Sequence, residues 1–159
     1  METQDRQEEF ARLVREHGRS LFRAARALLD SDAAAEDAVG EAVLLAWQSF
    51  HRLRDRSAAK GWLLRITVNC AYGQRRKMGR EVALEGLEER AAPEKDEALS
   101  DLWRAVCSLP RDQRLAVLLY YYEDMPVAEI ARTLGVAQGT VKSRLSRGRD
   151  RLRQMLREE

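Results

Sequence analysis

The sequence predicts an all-α protein with two small helical domains joined by a flexible acidic linker. Apolar residues recur at three- and four-residue spacing through most of the 159 residues, as they do in amphipathic helices. No long stretch shows the alternation that is typical of a half-buried strand. Residues 80–97 interrupt the helical pattern with Gly86, Pro93 and seven acidic against three basic side chains. This composition favours a linker between domains at 1–79 and 98–159.

The first domain contains three predicted helices. The first is marked by apolar side chains at helical spacing from Phe10 to Leu29. The stretch "DSDAAAED" then supplies turn and N-cap residues for a second helix that ends near Phe50. "HRLRDRSAAKG" is a polar connector, and Ser57 is the expected N-cap of a third helix that runs to about Met78.

The second domain begins with an apolar pattern that predicts a helix from Leu99 to Leu109. Pro110 ends that helix, because proline has no backbone N–H to donate to the preceding turn. The same proline suits the start of the next helix, "PRDQRLAVLLYYYE". Another helix can start at Pro126, where a more specific motif begins.

Residues 127–153, "VAEIARTLGVAQGTVKSRLSRGRDRLR", predict a helix-turn-helix. The first helix has one apolar face, and Gly135 supplies the tight turn after it. In the second helix Val141 and Leu145 face inward, so basic and polar side chains occupy the outer faces. Ala137 at the expected N-cap has no side-chain acceptor, which costs about 1 kcal/mol. A solvated basic helix on an ordinary bundle is the alternative; the short helix and glycine turn before it favour DNA binding.

Charge is distributed along the chain in blocks, although the net charge is only +2. Residues 1–59 carry a net charge of −2, residues 60–80 carry +6, residues 81–131 carry −7 and residues 132–157 carry +7. Two basic blocks are therefore separated by an acidic middle. This arrangement indicates two separate contacts with a polyanion.

The first basic block, residues 60–80, has a face of its own on the predicted third helix. Leu63, Ile66 and Cys70 form the expected inner stripe. Four side chains recur at helical spacing on the exposed side: Arg65, Asn69, Tyr72 and Arg76. Cations, an amide and an aromatic ring together suit single-stranded nucleic acid, on which bases stack and amides contact base edges. Trp62 could stack on a base, but a core position is favoured.

Several protein classes are disfavoured. No apolar run approaches the roughly eighteen residues of a membrane span, and the acidic start lacks the pattern of a signal peptide. Cys70 and Cys107 lack CxxC spacing or a neighbouring His, which favours free thiols in a reducing cytoplasm. Asp37 and Glu41 share a helix face without a third ligand, so a protein-binding or solvated face is favoured over a metal-dependent nuclease. We expect no metal and no cofactor.

The stretches "AEDAVGEAVLLAWQSF", "GWLLRITVNCAYGQRRK" and "LPRDQRLAVLLYYYEDMPVAEIARTLGVAQGTVKSRLSRGRDRLR" resemble the extracytoplasmic-function (ECF) sigma factors of bacterial RNA polymerase. The resemblance covers nearly the whole chain in order and is most specific in "EIARTLGVAQGTVKSRLSRGR". It implies a cytoplasmic transcription initiation factor, not an enzyme, that directs core RNA polymerase to promoters. An anti-sigma factor is an implied partner. A free-standing repressor could share the helix-turn-helix but would leave the block at 60–80 unexplained.

The resemblance also implies a division of labour between the domains. The first, sigma region 2, binds the polymerase clamp and the melted minus-10 element. The second, sigma region 4, binds the duplex minus-35 element and the polymerase flap. The linker threads towards the active-site and RNA-exit path. In the first domain, the connector Leu53–Lys60 together with Asn69 receives an unstacked minus-10 base.

Three groups of site residues follow from the resemblance. The minus-35 contacts are expected at Gln138, Gly139, Thr140, Lys142, Ser143, Arg144, Arg147 and Arg149. The minus-10 contacts are expected at Arg54, Arg56, Lys60, Arg65, Asn69, Tyr72, Arg75, Arg76 and Lys77. The contacts to core polymerase are expected at Glu36, Asp37, Gly40 and Glu41. Gly40 stands where the family usually has Gln, and a glycine there weakens the helix by up to about 1 kcal/mol relative to alanine.

Overall fold

The structure is a computed structural model that describes residues 2–85 and 100–157, with side chains described as far as residue 79 in the first range. Helices separated by short connectors make up these ranges, which contain no strand. It divides into two compact units, Met1–Glu88 and Glu89–Glu159. The predicted all-α fold with two helical units is therefore confirmed.

The first unit packs three helices, α1 (Glu2–Leu28), α2 (Asp32–Ser49) and α3 (Ala59–Glu85), against one another. Their apolar faces meet in a core that α2 supplies mainly with alanines, which let the helices approach closely: Ala35, Ala38, Ala42 and Ala46. Helix α3 is longer than predicted, because its backbone stays helical to Glu85. The first six residues of the expected linker 80–97 are thus helical, and its remainder lies outside the described residues.

An aromatic cluster closes one end of this core. Phe50 is fully buried, and its ring centroid lies 5.1 Å from that of Phe10, 6.2 Å from that of Trp47 and 6.3 Å from that of Trp62. Aromatic pairs at these separations add to the stabilisation that comes from burying their area. Trp62 therefore packs against the core through Phe50, as the sequence favoured, and is itself half-buried.

The helix starts in the first unit agree only partly with the predicted caps. Ser31 caps α2 as expected from "DSDAAAED", and its Oγ accepts a hydrogen bond of 3.1 Å from the N–H of Ala34. The prediction of Ser57 as the N-cap of α3 is wrong. Asp55 is the capping residue instead, because its carboxylate accepts from both the N–H and the hydroxyl of Ser57. It caps a 3-10 turn, Arg56–Ala58, that leads into α3.

Over residues 100–157, the described part of the second unit, there are four α-helices: α4 (Asp101–Cys107), α5 (Arg111–Val117), α6 (Val127–Leu134) and α7 (Gln138–Arg157). Its core consists of fully or nearly fully buried aliphatic side chains: Val106, Leu109, Leu115, Leu118, Leu119, Ile130, Val141 and Leu145. The sequence predicted one regular helix after Pro110. In the structure α5 is continued by a π-helical turn, Leu118–Tyr122.

Candidate nucleic-acid interface

Gly135 forms the turn of the helix-turn-helix. Its φ of 68° and ψ of 35° lie in the left-handed region, which glycine adopts without a steric penalty. The backbone N–H groups of Gly135 and Val136 both donate to the carbonyl of Ala131, and this arrangement ends α6. The predicted glycine turn is confirmed, and α7 starts three residues after it.

Helix α7 begins at Gln138, directly after the predicted N-cap, Ala137. The carbonyl of Ala137 accepts hydrogen bonds from the N–H groups of Thr140, at 3.1 Å, and Val141, at 3.2 Å. Alanine offers no side-chain acceptor, so N–H groups of the first turn are left for water or a phosphate oxygen. The predicted minus-35 residues Gln138, Gly139 and Thr140 are all exposed at this end.

The two sides of α7 differ sharply in chemistry. Val141, Leu145 and Gly148 are buried against the rest of the unit. Besides Gln138, Gly139 and Thr140, three more of the predicted minus-35 contacts are exposed in the first three turns: Lys142, Ser143 and Arg147. Helical periodicity therefore orients this part of the predicted set away from the core, in the manner of a recognition helix.

Arg144 and Ser146 depart from the expected arrangement. Arg144 is half-buried at the flank of α7, because it directly precedes the buried Leu145 and lies three residues after the buried Val141. Ser146 is exposed and lies three and four residues from Ser143 and Lys142, on the same face. Ser146 was not among the predicted contacts, although its helical spacing from Lys142 and Ser143 was an available signal.

Arginines further along α7 make contacts within the unit. Arg149 is exposed, and its Nη1 donates a hydrogen bond of 3.1 Å to the hydroxyl oxygen of Tyr121. This hydrogen bond raises the pKa of Arg149. Arg153 lies 3.5 Å from the carboxylate of Asp150. Arg151 is exposed and makes no ion pair within the described part of the chain.

Helix α3 of the first unit carries most of the predicted minus-10 residues. Four of them are exposed, namely Arg65, Asn69, Arg76 and Lys77, and three are half-buried, namely Lys60, Tyr72 and Arg75. The predicted inner stripe holds for Leu63 and Cys70, which are buried, whereas Ile66 is half-buried. The exposed members span three turns of one helix, and they present cations beside an amide.

A groove of about 1160 Å³ runs between α2 and α3. Asp37 and Glu41 line its α2 wall, while Asn69 and Lys77 line its α3 wall. The fold thus brings members of the predicted polymerase-binding and minus-10 groups to one groove, a juxtaposition that the sequence did not predict. Cys70 lies at this groove, and burial together with the Glu41 carboxylate raises the pKa of its thiol to about 11.

The connector between α2 and α3 is held in place by Arg56. Its Nε lies 2.7 Å from Oε1 of Glu9 on α1, and its guanidinium lies 4.2 Å from the ring centroid of Phe50. Its Nη1 also donates to the carbonyl of Leu53. Arg54, by contrast, is exposed and makes no ion pair with any described residue. Two arginines of the same predicted group therefore have different environments.

Among the described residues, no three His, Cys, Asp or Glu side chains are grouped closely enough to hold a metal ion. Over the same residues, no helix has the length and apolar character needed to cross a membrane.

Comparison with known proteins identifies the family. Residues 13–81 match the family model of sigma-70 region 2, and residues 99–152 match that of sigma-70, region 4. The ECF RNA polymerase sigma factor SigM of Mycobacterium tuberculosis is 38% identical over 152 residues, which cover 92% of this chain and 76% of that protein. The chain belongs to the ECF sigma factors. SigL of the same species, also an ECF RNA polymerase sigma factor, is 34% identical over 84% of this chain and 80% of its own length.

Two solved structures share the fold. The sigma factor RpoE from Bartonella quintana, crystallised with the anti-sigma factor NepR, is similar with a TM-score of 0.80 and 31% identity. The similarity covers 94% of this chain and 98% of that one. CnrH, solved with the cytosolic domain of CnrY, shares the fold with a TM-score of 0.62 and 24% identity. The region 2 match contains the α2–α3 groove, and the region 4 match contains the helix-turn-helix.

Proposed function

We propose that this ECF sigma factor binds core RNA polymerase and directs it to promoters through two DNA contacts, one on each unit. The main observation in support of the proposal is that one chain contains two basic surfaces of different chemistry, one on each unit. Helix α7 has the form of a recognition helix for duplex DNA, and α3 presents cations and an amide suited to an unpaired strand. The protein acts in the cytoplasm, with the polymerase, and has no enzymatic activity of its own.

The minus-10 contact is assigned to the exposed face of α3 and to the connector before it. Asn69 is exposed and lines the α2–α3 groove, and we place the unstacked base beside its amide. Arg54 is available for a phosphate, whereas Arg56 is occupied by Glu9 and serves to hold the connector. The residues proposed for this contact are Arg54, Lys60, Arg65, Asn69, Tyr72, Arg75, Arg76 and Lys77, and Arg56, the remaining member of the predicted group, supports the contact by holding the connector.

The polymerase contact is assigned to the exposed side of α2. Glu36, Asp37, Gly40 and Glu41 are all exposed there. The same side continues into Leu44, which is 67% exposed, and Leu45, which is 44% exposed. Acidic residues beside exposed leucines are typical of a surface that binds a basic, partly apolar partner. The acidic residues were predicted from the sequence, whereas Leu44 and Leu45 were not, although their helical spacing places them on the same side of α2.

The minus-35 contact is assigned to the first turns of α7. The proposed residues are Gln138, Gly139, Thr140, Lys142, Ser143, Arg144, Arg147 and Arg149, to which exposure adds Ser146. An anti-sigma factor is a further proposed partner. RpoE and its bound NepR support this, because that complex contains a relative of similar fold across nearly the whole chain.

The deciding experiment is transcription by purified core polymerase on a genomic promoter pool, with and without this protein. We expect a defined subset of promoters to be transcribed only when the protein is present. Unchanged transcription would contradict the proposal. Tight operator binding without polymerase would instead indicate a repressor, and magnesium-dependent cleavage of promoter DNA by the pure protein would indicate a nuclease.

A further inference from the structure

The π-helical turn Leu118–Tyr122 places two tyrosines at the surface of the second unit. Tyr122 packs edge-on against Trp103, with 5.1 Å between ring centroids, so it belongs to the interior side of the turn. Tyr120 and Tyr121 remain 37% and 48% exposed. A π-turn inserts an additional residue into a helix and is frequent at functional sites. Two neighbouring exposed tyrosines at such a turn call for a functional explanation.

Tyr121 is linked to the recognition helix. Its hydroxyl oxygen accepts the 3.1 Å hydrogen bond from Nη1 of Arg149, which lies 28 residues away in the chain. The ring of Tyr120 stands edge-on to that of Tyr121, with centroids 4.9 Å apart and an interplanar angle of 79°. This contact restricts the Tyr121 ring, and the ring in turn restricts the guanidinium of Arg149. An exposed arginine side chain is thus held at a defined position on α7.

Arg149 lies on a polar stripe of α7. Lys142, Ser146, Arg149 and Arg153 follow one another at spacings of four, three and four residues, and all four are exposed. A guanidinium has five N–H donors in a planar fork, and the bond to Tyr121 uses only one of them. Several donors therefore remain for a phosphate, which arginine can bind through two parallel hydrogen bonds.

We propose that Tyr121 is a positioning residue whose hydroxyl holds Arg149 ready for a backbone phosphate at the edge of the minus-35 groove. The inference rests on the proposed function of the second unit and deepens it. A long side chain loses conformational freedom when it binds, and an arginine that is already held loses less. Tyr121 thereby strengthens DNA binding without touching the DNA.

The test compares Tyr121→Phe with Tyr120→Phe, each in the full chain assembled with core polymerase. The probes are minus-35 duplexes selected from a random library by the unaltered holoenzyme. We expect Tyr121→Phe to weaken binding about two- to tenfold, the factor that corresponds to immobilising one long side chain. Tyr120→Phe removes a hydroxyl that has no hydrogen bond to the described residues, so affinity should not change. Thermal unfolding of both variants should match that of the parent.

A double-mutant cycle with Arg149→Ala separates positioning from a general effect on structure. In the Arg149→Ala background, Tyr121→Phe should not weaken DNA binding further. Arg149→Ala itself should reduce by about one unit the slope of the logarithm of the binding constant against the logarithm of the salt concentration. Equal losses for the two tyrosine variants, or a Tyr121→Phe loss that persists without Arg149, would overturn the inference while leaving promoter recognition intact. Failure of the unaltered holoenzyme to select any minus-35 sequence would overturn the proposed function, and the positioning role with it.

Discussion

Gly148 of α7 lies directly against Val117 of α5. A Cβ at position 148 would be 2.8 Å from Cγ2 of Val117, closer than side chains approach one another in proteins. Gly148 is buried, and Val117 is almost completely buried, so neither position has free space around it. This close approach braces the middle of the recognition helix against α5 and sets the distance between the two helices.

Replacing Gly148 with alanine should therefore destabilise the second unit, although alanine has the higher helix propensity. Val117 is β-branched and stiff, so relieving the overlap requires a shift of α7, at a cost of about 1–3 kcal/mol. Chemical denaturation followed by circular dichroism measures this change. Gly139→Ala on the same helix is the matched control, because a Cβ there meets nothing within 4 Å. Equal stability of the two variants would contradict the bracing role.

Replacing Arg54 or Arg56 with alanine should change different properties, strand binding for Arg54 and folding stability for Arg56. Arg56→Ala removes the contacts to Glu9 and Phe50 and should destabilise the first unit by about 1 kcal/mol, a modest value because the ion pair is partly exposed. Arg54→Ala should leave stability unchanged and weaken binding to minus-10 single strands. Thermal unfolding and strand binding, measured on both variants, separate the effects. A loss of folding stability in Arg54→Ala would contradict the assignment of Arg54 to a DNA contact.

Reversing the charge of Asp37 should weaken the assembly with polymerase. Asp37 is exposed on the acidic side of α2, so Asp37→Lys should leave the fold intact and repel a basic clamp surface. Glu16→Lys, at an exposed position of α1, makes the same change in net charge elsewhere in the unit. Competition for core polymerase against the parent protein gives the relative affinities. If both variants compete equally well, the placement of Asp37 in the polymerase interface is wrong.

Asn69 should matter for strand opening more than for initial binding. Asn69→Ala at an exposed position should change folding stability by less than about 0.5 kcal/mol. If its amide receives an unstacked base, permanganate reactivity of the open complex should fall while closed-complex formation persists. Gln48→Ala alters an amide on the opposite wall of the same groove and serves as the control. Equal loss in both steps would point to a structural role for Asn69.

Arg147 and Arg151 should affect DNA binding by different mechanisms. Arg147 is exposed in the first turns of α7, which we propose enter the major groove, so Arg147→Ala should cost about 1–3 kcal/mol of binding free energy and relax preference at one minus-35 position. Arg151, one turn further along, should act as a phosphate contact, whose loss weakens all sequences alike and lowers the salt slope by about one. Binding to a minus-35 library at two salt concentrations distinguishes them. The opposite pattern would show that the groove assignment is wrong.

The sequence by itself determined the features that depend on local periodicity and backbone sterics. The three- and four-residue spacing of apolar side chains places Val141 and Leu145 inside in any packed arrangement of α7. Gly135 marks the turn because a left-handed conformation is strained for most other residues. The match to ECF sigma factors rests on such local motifs, and this is why family and fold were predictable.

Only the tertiary structure decided which polar side chains already form hydrogen bonds or ion pairs within the protein. Arg56 pairs with Glu9, 47 residues away in sequence, and Arg149 with Tyr121, 28 residues away. Gly148 is adjacent to Val117 only because α7 packs across α5. Helical periodicity fixes the direction of a side chain relative to the axis of its own helix. The residue that it contacts depends on how the helices are arranged around one another. Arginines that look alike in the sequence therefore differ in role, according to what the fold brings beside them.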